Sequence, residues 1–155
     1  MDKFQMLPHL AALACAYALA LPIGWDRERQ ERSAGLRTFP LVALASCGFI
    51  QASEQLLATS PDGMARIVQG IITGIGFIGG GAILKQGAMV KGTATAASLW
   101  ATGAIGSAVG LGSYDVATAI AVFTFVTLRV ITPIENSVLL DDDSHANGAN
   151  KDSNS

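Results

Sequence analysis

Charge is scarce in this sequence. Only 14% of its 155 residues are Asp, Glu, Lys or Arg, while half are hydrophobic; a soluble domain carries roughly 25% charged residues. So little charge cannot coat a water-facing globule, and the deficit points to lipid as the main solvent. The net charge is −2 and aromatic residues make up 6%, which leaves neither a basic field for phosphates nor a base-stacking platform. Nucleic acid is therefore not an expected partner. The only histidines, His9 and His145, lie toward the chain ends, so no apolar run places a His beside an acid or a nucleophile. An enzyme is not expected. Cys15 and Cys47 each sit alone in an apolar run and read as small buried hydrophobes, not as a metal site or a disulfide framework.

What is present is a series of long apolar blocks divided by the few charges. About 20 apolar residues cross a bilayer as a helix, and five candidate spans result: Met6–Trp25, Thr38–Leu57, Ile67–Leu84, Thr93–Leu111 and Tyr114–Thr132. The fold class expected is an all-α integral membrane protein, a bundle of about five transmembrane helices over residues 1–135. Residues 136–155 turn abruptly polar and acidic ("DDDSHANGANKDSNS") and read as a disordered, solvating tail. Ala18-Leu19-Ala20 offers a signal-cleavage pattern, but cleavage there would leave the basic connector "DRERQERSAGLR" outside. With the first span kept and the N-terminus outside, eight basic residues (Arg27, Arg29, Arg32, Arg37, Lys85, Lys91, Arg129, Lys151) fall on the cytoplasmic face with the C-terminus. Two, Lys3 and Arg66, fall outside, as the positive-inside rule requires.

"GIGFIGGG", residues 74–81, spells the glycine fingerprint of a dinucleotide site. That fingerprint needs a preceding strand, a helix opening at the glycines and an acid about 20 residues on. No Asp or Glu occurs between Asp62 and Asp115, so no nucleotide or other cofactor is expected. Inside lipid, glycines let helix backbones approach closely. Gly70, Gly74, Gly76 and Gly80 on the third span, with Thr102, Gly106 and Gly110 on the fourth, predict tight packing of these two helices. Gly79-Gly80-Gly81 also offers a place for a break.

Polar groups near the membrane are functional candidates because their desolvation is costly. Cys47, Gln51 and Glu54 share one face of the second span. Glu54 reads either as an outward cation or proton site or as the partner of Arg66 in an ion pair closing the hairpin. On the opposite face, Asp26 and Glu28 supply hard oxygen ligands of the kind Mg²⁺ takes, and Arg37 with Thr38 could hold an anion or a partner carboxylate. The plain alternative for this connector is orientation and contact with anionic headgroups. Asp26, Glu28 and Glu54 are thus weak metal candidates, too few for a cage. Thr93 and Thr95 are placed to cap the fourth helix.

Three segments, "GWDRERQERSAGLRT", "TGIGFIGGGAILKQG" and "VKGTATAASLWATGAIGSAVGLG", resemble the MgtC/SapB family of bacterial inner-membrane proteins in order and separation. The resemblance implies a five-helix multi-pass domain and a cytoplasmic-face motif at Asp26, Arg27, Glu28, Gly35, Arg37 and Thr38, with Asp26 where Glu is more usual. Longer family members add a soluble cytoplasmic domain and are associated with growth at low magnesium, survival inside host cells and modulation of the ATP synthase; this chain is expected to be the short, SapB-like form. The function expected is a regulatory or accessory role in magnesium or ion homeostasis through a membrane-protein partner, with the bilayer and a homo-oligomer as further associations. The alternative is a transporter or channel component for Mg²⁺ or another small ion; against it, Ile67–Leu84 and Thr93–Leu111 contain no carboxylate.

Overall fold

The computed structural model describes residues 6–30, 34–54, 61–86 and 89–130. The expected acidic tail, Lys3 and Arg32 lie outside them. Among the described residues the main elements are helices α1 (Met6–Arg29), α2 (Thr38–Ala52) and α3 (Pro61–Gly81), a hairpin of β1 (Leu84–Gln86) and β2 (Met89–Lys91), α4 (Thr93–Gly110), and α5, residues 114–130. The strands pair antiparallel, Lys85 opposite Val90.

Helix direction alternates along the chain. His9 near the start of α1 meets Glu54 beyond the end of α2, and Gly24 near the end of α1 meets Leu36 before α2. Gly79 on α3 meets Ala96 on α4 while Gly103 meets Ile75, which makes that pair antiparallel. Arg27, Arg29, Arg37, Lys85, Lys91 and Arg129 consequently gather at one end of the bundle, and Arg66 stands toward the other. The sequence tally thus reappears as a segregation of charge in space.

α2 lies at the centre, packed on α1 and α4, while α3 rests mainly on α4. The core is built from small and branched residues, including Ala16, Ala20, Ile23, Phe39, Ala43, Leu99 and Ile105. Its hydroxyls turn inward on their own helices: Ser46 donates to the Val42 carbonyl at 2.8 Å, Ser98 to Thr95 at 2.9 Å and Thr102 to Ser98 at 2.8 Å. No buried hydroxyl among these is left unsatisfied, as a low-dielectric interior demands. Large apolar side chains also face outward, Phe77 being 85% and Phe123 74% exposed, a surface unsuited to water. Two helices, Met6–Arg29 and Asp62–Gly81, are long and apolar enough to cross a membrane, and α2 is a shorter apolar helix. At about 1.5 Å per residue α1 reaches roughly 36 Å, against a hydrocarbon core of about 30 Å.

Several expectations need correction. Gly106 and Gly110 do bring backbones together, but against α2: a methyl group at Gly106 would strike the Ala43 carbonyl, and one at Gly110 would lie 2.8 Å from Ile50 Cβ and 3.1 Å from the Cys47 carbonyl. The α3–α4 contact instead uses Gly79, beside the Ala96 carbonyl, and Gly103, covered by Ile75. Gly70, Gly74, Gly76 and Gly80 have no neighbour within 4 Å of where a Cβ would stand. Spacing marks small faces but cannot say which way a helix is turned. The glycine run does not break α3, which continues through Gly81 before the chain turns at Ala82. The "GIGFIGGG" stretch is thus helical, without the strand and turn of a nucleotide site.

Nor do Thr93 and Thr95 cap α4. Its N-cap is Gly92, whose φ of 93° is open to glycine, with no side-chain cap bond. Gly112, φ 78°, ends α4 in the same left-handed region.

Candidate functional site

The most concentrated polar structure is a buried ion cluster where α1 and α5 end and α2 begins. Position 26 falls on the inward side of α1, in register with the buried Ala16, Ala20 and Ile23, so the helix carries a carboxylate into the packed interior. Asp26 is 3% and Arg27 1% exposed, and Arg27 Nη2 donates to Asp26 Oδ2 at 2.9 Å. Gln30, one turn on, accepts from Arg27 Nη2 at 3.1 Å and donates to Asp26 Oδ2 at 2.8 Å. From α5, Arg129 Nη1 reaches Asp26 Oδ1 at 3.5 Å. Two guanidiniums therefore share one carboxylate, and among the described residues Arg27 Nε is buried without a partner. Counted over the described residues, the cluster keeps an excess of positive charge.

Glu28 faces a different neighbour. Its Oε2 accepts the Leu36 amide at 3.1 Å, tying the connector to α1. A side chain at Gly35 would collide with that carboxylate, and the Gly35 carbonyl in turn accepts the Thr38 and Phe39 amides at 2.9 and 3.1 Å to open α2. Gly24 lets the two helices close: a methyl group there would stand 3.3 Å from both the Gly35 carbonyl and Phe39 Cβ. Trp25 projects outward, and Arg29 lies over its ring at 5.8 Å, an aromatic and cation pair typical of a bilayer interface. Arg37 is exposed and, among the described residues, makes no ion pair.

The sequence candidates are thus divided. Asp26, Arg27, Glu28, Gly35, Arg37 and Thr38 do gather at one end, as members of an ion cluster and a helix junction. Glu54 is at the opposite end, where His9 Nε2 lies 3.3 Å from its Oε2 and Gln51 Nε2 donates to the His9 carbonyl at 3.4 Å. Among the described residues Glu54 makes no pair with Arg66. Asp26, Glu28 and Glu54 therefore form no common metal site, and no group of three His, Cys, Asp or Glu converges elsewhere among the described residues. Sequence reasoning missed Gln30 and the contribution of Arg129, which it counts only among the cytoplasmic-face cations. The i, i+4 spacing of Asp26 and Gln30 was a usable signal; the reach from α5 was not.

A groove of about 760 Å³ separates α2 from α3, with Arg37 and Thr38 at one end, Ser53 at the other and mostly apolar walls between.

The MgtC family model matches residues 13–137. The chain is 42% identical over 118 residues to Protein MgtC of Salmonella typhimurium, covering 76% of this chain and 50% of that protein. It is 38% identical to Protein MgtC of Brucella abortus over 132 residues, 84% of this chain and 55% of the other. An uncharacterized protein of Synechocystis is 36% identical over 129 residues, 83% and 54% of the two chains. The chain thus spans about half the length of these curated relatives. No solved structure matches.

Proposed function

The chain belongs to the MgtC family, and on that premise we propose that it is a multi-pass protein of the bacterial inner membrane, N-terminus outside, with an accessory or regulatory role in magnesium or ion homeostasis. It acts by docking on a membrane partner and performs no covalent chemistry. Outward apolar side chains, two helices of spanning length and the gathering of cations at one end support the membrane placement.

The observation that carries the docking reading is the commitment of the acids. Asp26 is held by Arg27, Gln30 and Arg129, and Glu28 by the Leu36 amide. Carboxylates engaged this way are poorly placed to exchange donors for a passing cation, whereas the surplus guanidinium charge suits an acidic group on a partner. The open glycine face of α3, at Gly76 and Gly80, supports association with another helix, a second copy included.

Reconstitution separates this reading from transport. Proteoliposomes containing only this chain should admit Mg²⁺ no faster than empty vesicles, while crosslinking in native membranes should capture a membrane complex that an Arg129→Glu variant captures less. Saturable Mg²⁺ entry without a partner would replace docking by transport.

A further inference from the structure

The groove between α2 and α3 has a shape and a charge pattern that the docking reading does not use. It follows α2 from Arg37 to Ser53, about 24 Å at 1.5 Å per residue. A single extended hydrocarbon chain can lie along an apolar groove of this length. The floor is open because Gly70 and Gly74 contribute no side chain, and Leu41, Phe49 and Ile78 stand along the rims, each roughly half exposed.

Among the described residues the walls offer nothing to a cation or a water file. Ser46 and Ser53 line the groove, but their hydroxyls donate to the Val42 and Phe49 carbonyls of their own helix at 2.8 and 2.7 Å. Among the described residues the one charged group in the lining is Arg37, at the end where the bundle's cations gather. It makes no ion pair among the described residues, and Thr38 is beside it.

We infer that this groove holds one acyl chain of an anionic phospholipid, with the lipid phosphate at Arg37. The inference rests on the membrane placement proposed above. A tail in the groove covers apolar surface that α3 leaves bare and fills the gap between two weakly joined helices. The guanidinium selects the anionic headgroup by a charge-assisted bond, at a depth where a single basic residue contributes about 1 kcal/mol, roughly a fivefold preference.

Native mass spectrometry of the full chain in mild detergent, with phosphatidylglycerol or phosphatidylcholine of identical chains added, tests this. The expected result is a one-to-one adduct with phosphatidylglycerol about fivefold more abundant than with phosphatidylcholine. Arg37→Gln should bring the two lipids level. Gly74→Leu and, independently, Ala45→Leu fill the groove and should remove most of both adducts, with circular dichroism unchanged. Equal adducts with the two lipids in the unmodified chain would overturn the proposal, as would full retention in both filled variants. Crosslinking of a second copy through position 74 would likewise assign the groove to a protein interface. If alkaline washing extracts the chain from membranes, the membrane placement fails as well; loss of lipid selectivity in a chain that resists extraction overturns the lipid site alone.

Discussion

Asp26 on α1 and Arg129 on α5 meet at 3.5 Å, joining the first to the last of the described helices. Their partners differ in exposure: Arg27, which shares the Asp26 carboxylate, is 1% exposed, whereas Arg129 is 62% exposed. The same carboxylate therefore closes a buried pair and an open one, and the two should carry different energies.

Asp26→Asn leaves the Arg27 guanidinium buried without its counter-charge, and breaking a buried pair costs about 3–5 kcal/mol. Arg129→Gln removes only the exposed arm and should cost about 0–1 kcal/mol. Thermal unfolding in detergent, followed by circular dichroism, should show a large fall in midpoint for the first and a small one for the second. Equal midpoints would mean that Asp26 is not what compensates Arg27.

Glycine substitutions on α3 and α4 should behave oppositely. Gly106→Leu drives a side chain into the Ala43 carbonyl, and overpacking of this kind costs about 1–3 kcal/mol or more. Gly76→Ala and Gly80→Ala meet open space and should stabilise the isolated chain by up to about 1 kcal/mol through helix propensity. Any loss they cause should appear in assembly size, measured by size exclusion with light scattering, and not in the unfolding midpoint.

At the opposite end, a double-mutant cycle decides the partner of Glu54. The coupling of His9 with Glu54 should be about 0.2–1 kcal/mol, as for exposed pairs, and that of Glu54 with Arg66 should be indistinguishable from zero. A larger second value would restore the hairpin-closing pair read from the sequence.

Sidedness can be measured directly. In a background with Cys15 and Cys47 replaced by Ala, single cysteines at Arg37 and Lys91 should resist an impermeant maleimide added to intact cells, and one at Arg66 should react. Reaction at positions 37 and 91 but not 66 would invert the proposed orientation.

The helices themselves were legible in the sequence, because uncharged runs between charges report where backbone groups must bond internally. The cation tally was legible too, since it depends only on the order of charges and the alternation of helices. The motif from Asp26 to Thr38 was legible as a place but not as an arrangement. Spacing brought Asp26 and Gln30 to one side of a turn, while the contact with Arg129 depends on how α5 leans against α1. Glu54 shows the limit most clearly: two partners of similar depth, His9 and Arg66, were available to it, and only helix packing placed His9 3.3 Å away.

The sequence by itself determined the class of solvent, the positions of the helices, the separation of charge and the family, all properties summed along the chain. Tertiary structure alone decided which glycines touch a neighbour, that Asp26 and Glu28 are spent on the chain's own donors, and that α2 and α3 part to leave a groove with Arg37 at its mouth. These depend on helix rotation, and turning a helix by a fraction of a turn exchanges one small face for another while leaving its composition and hydrophobic length unchanged.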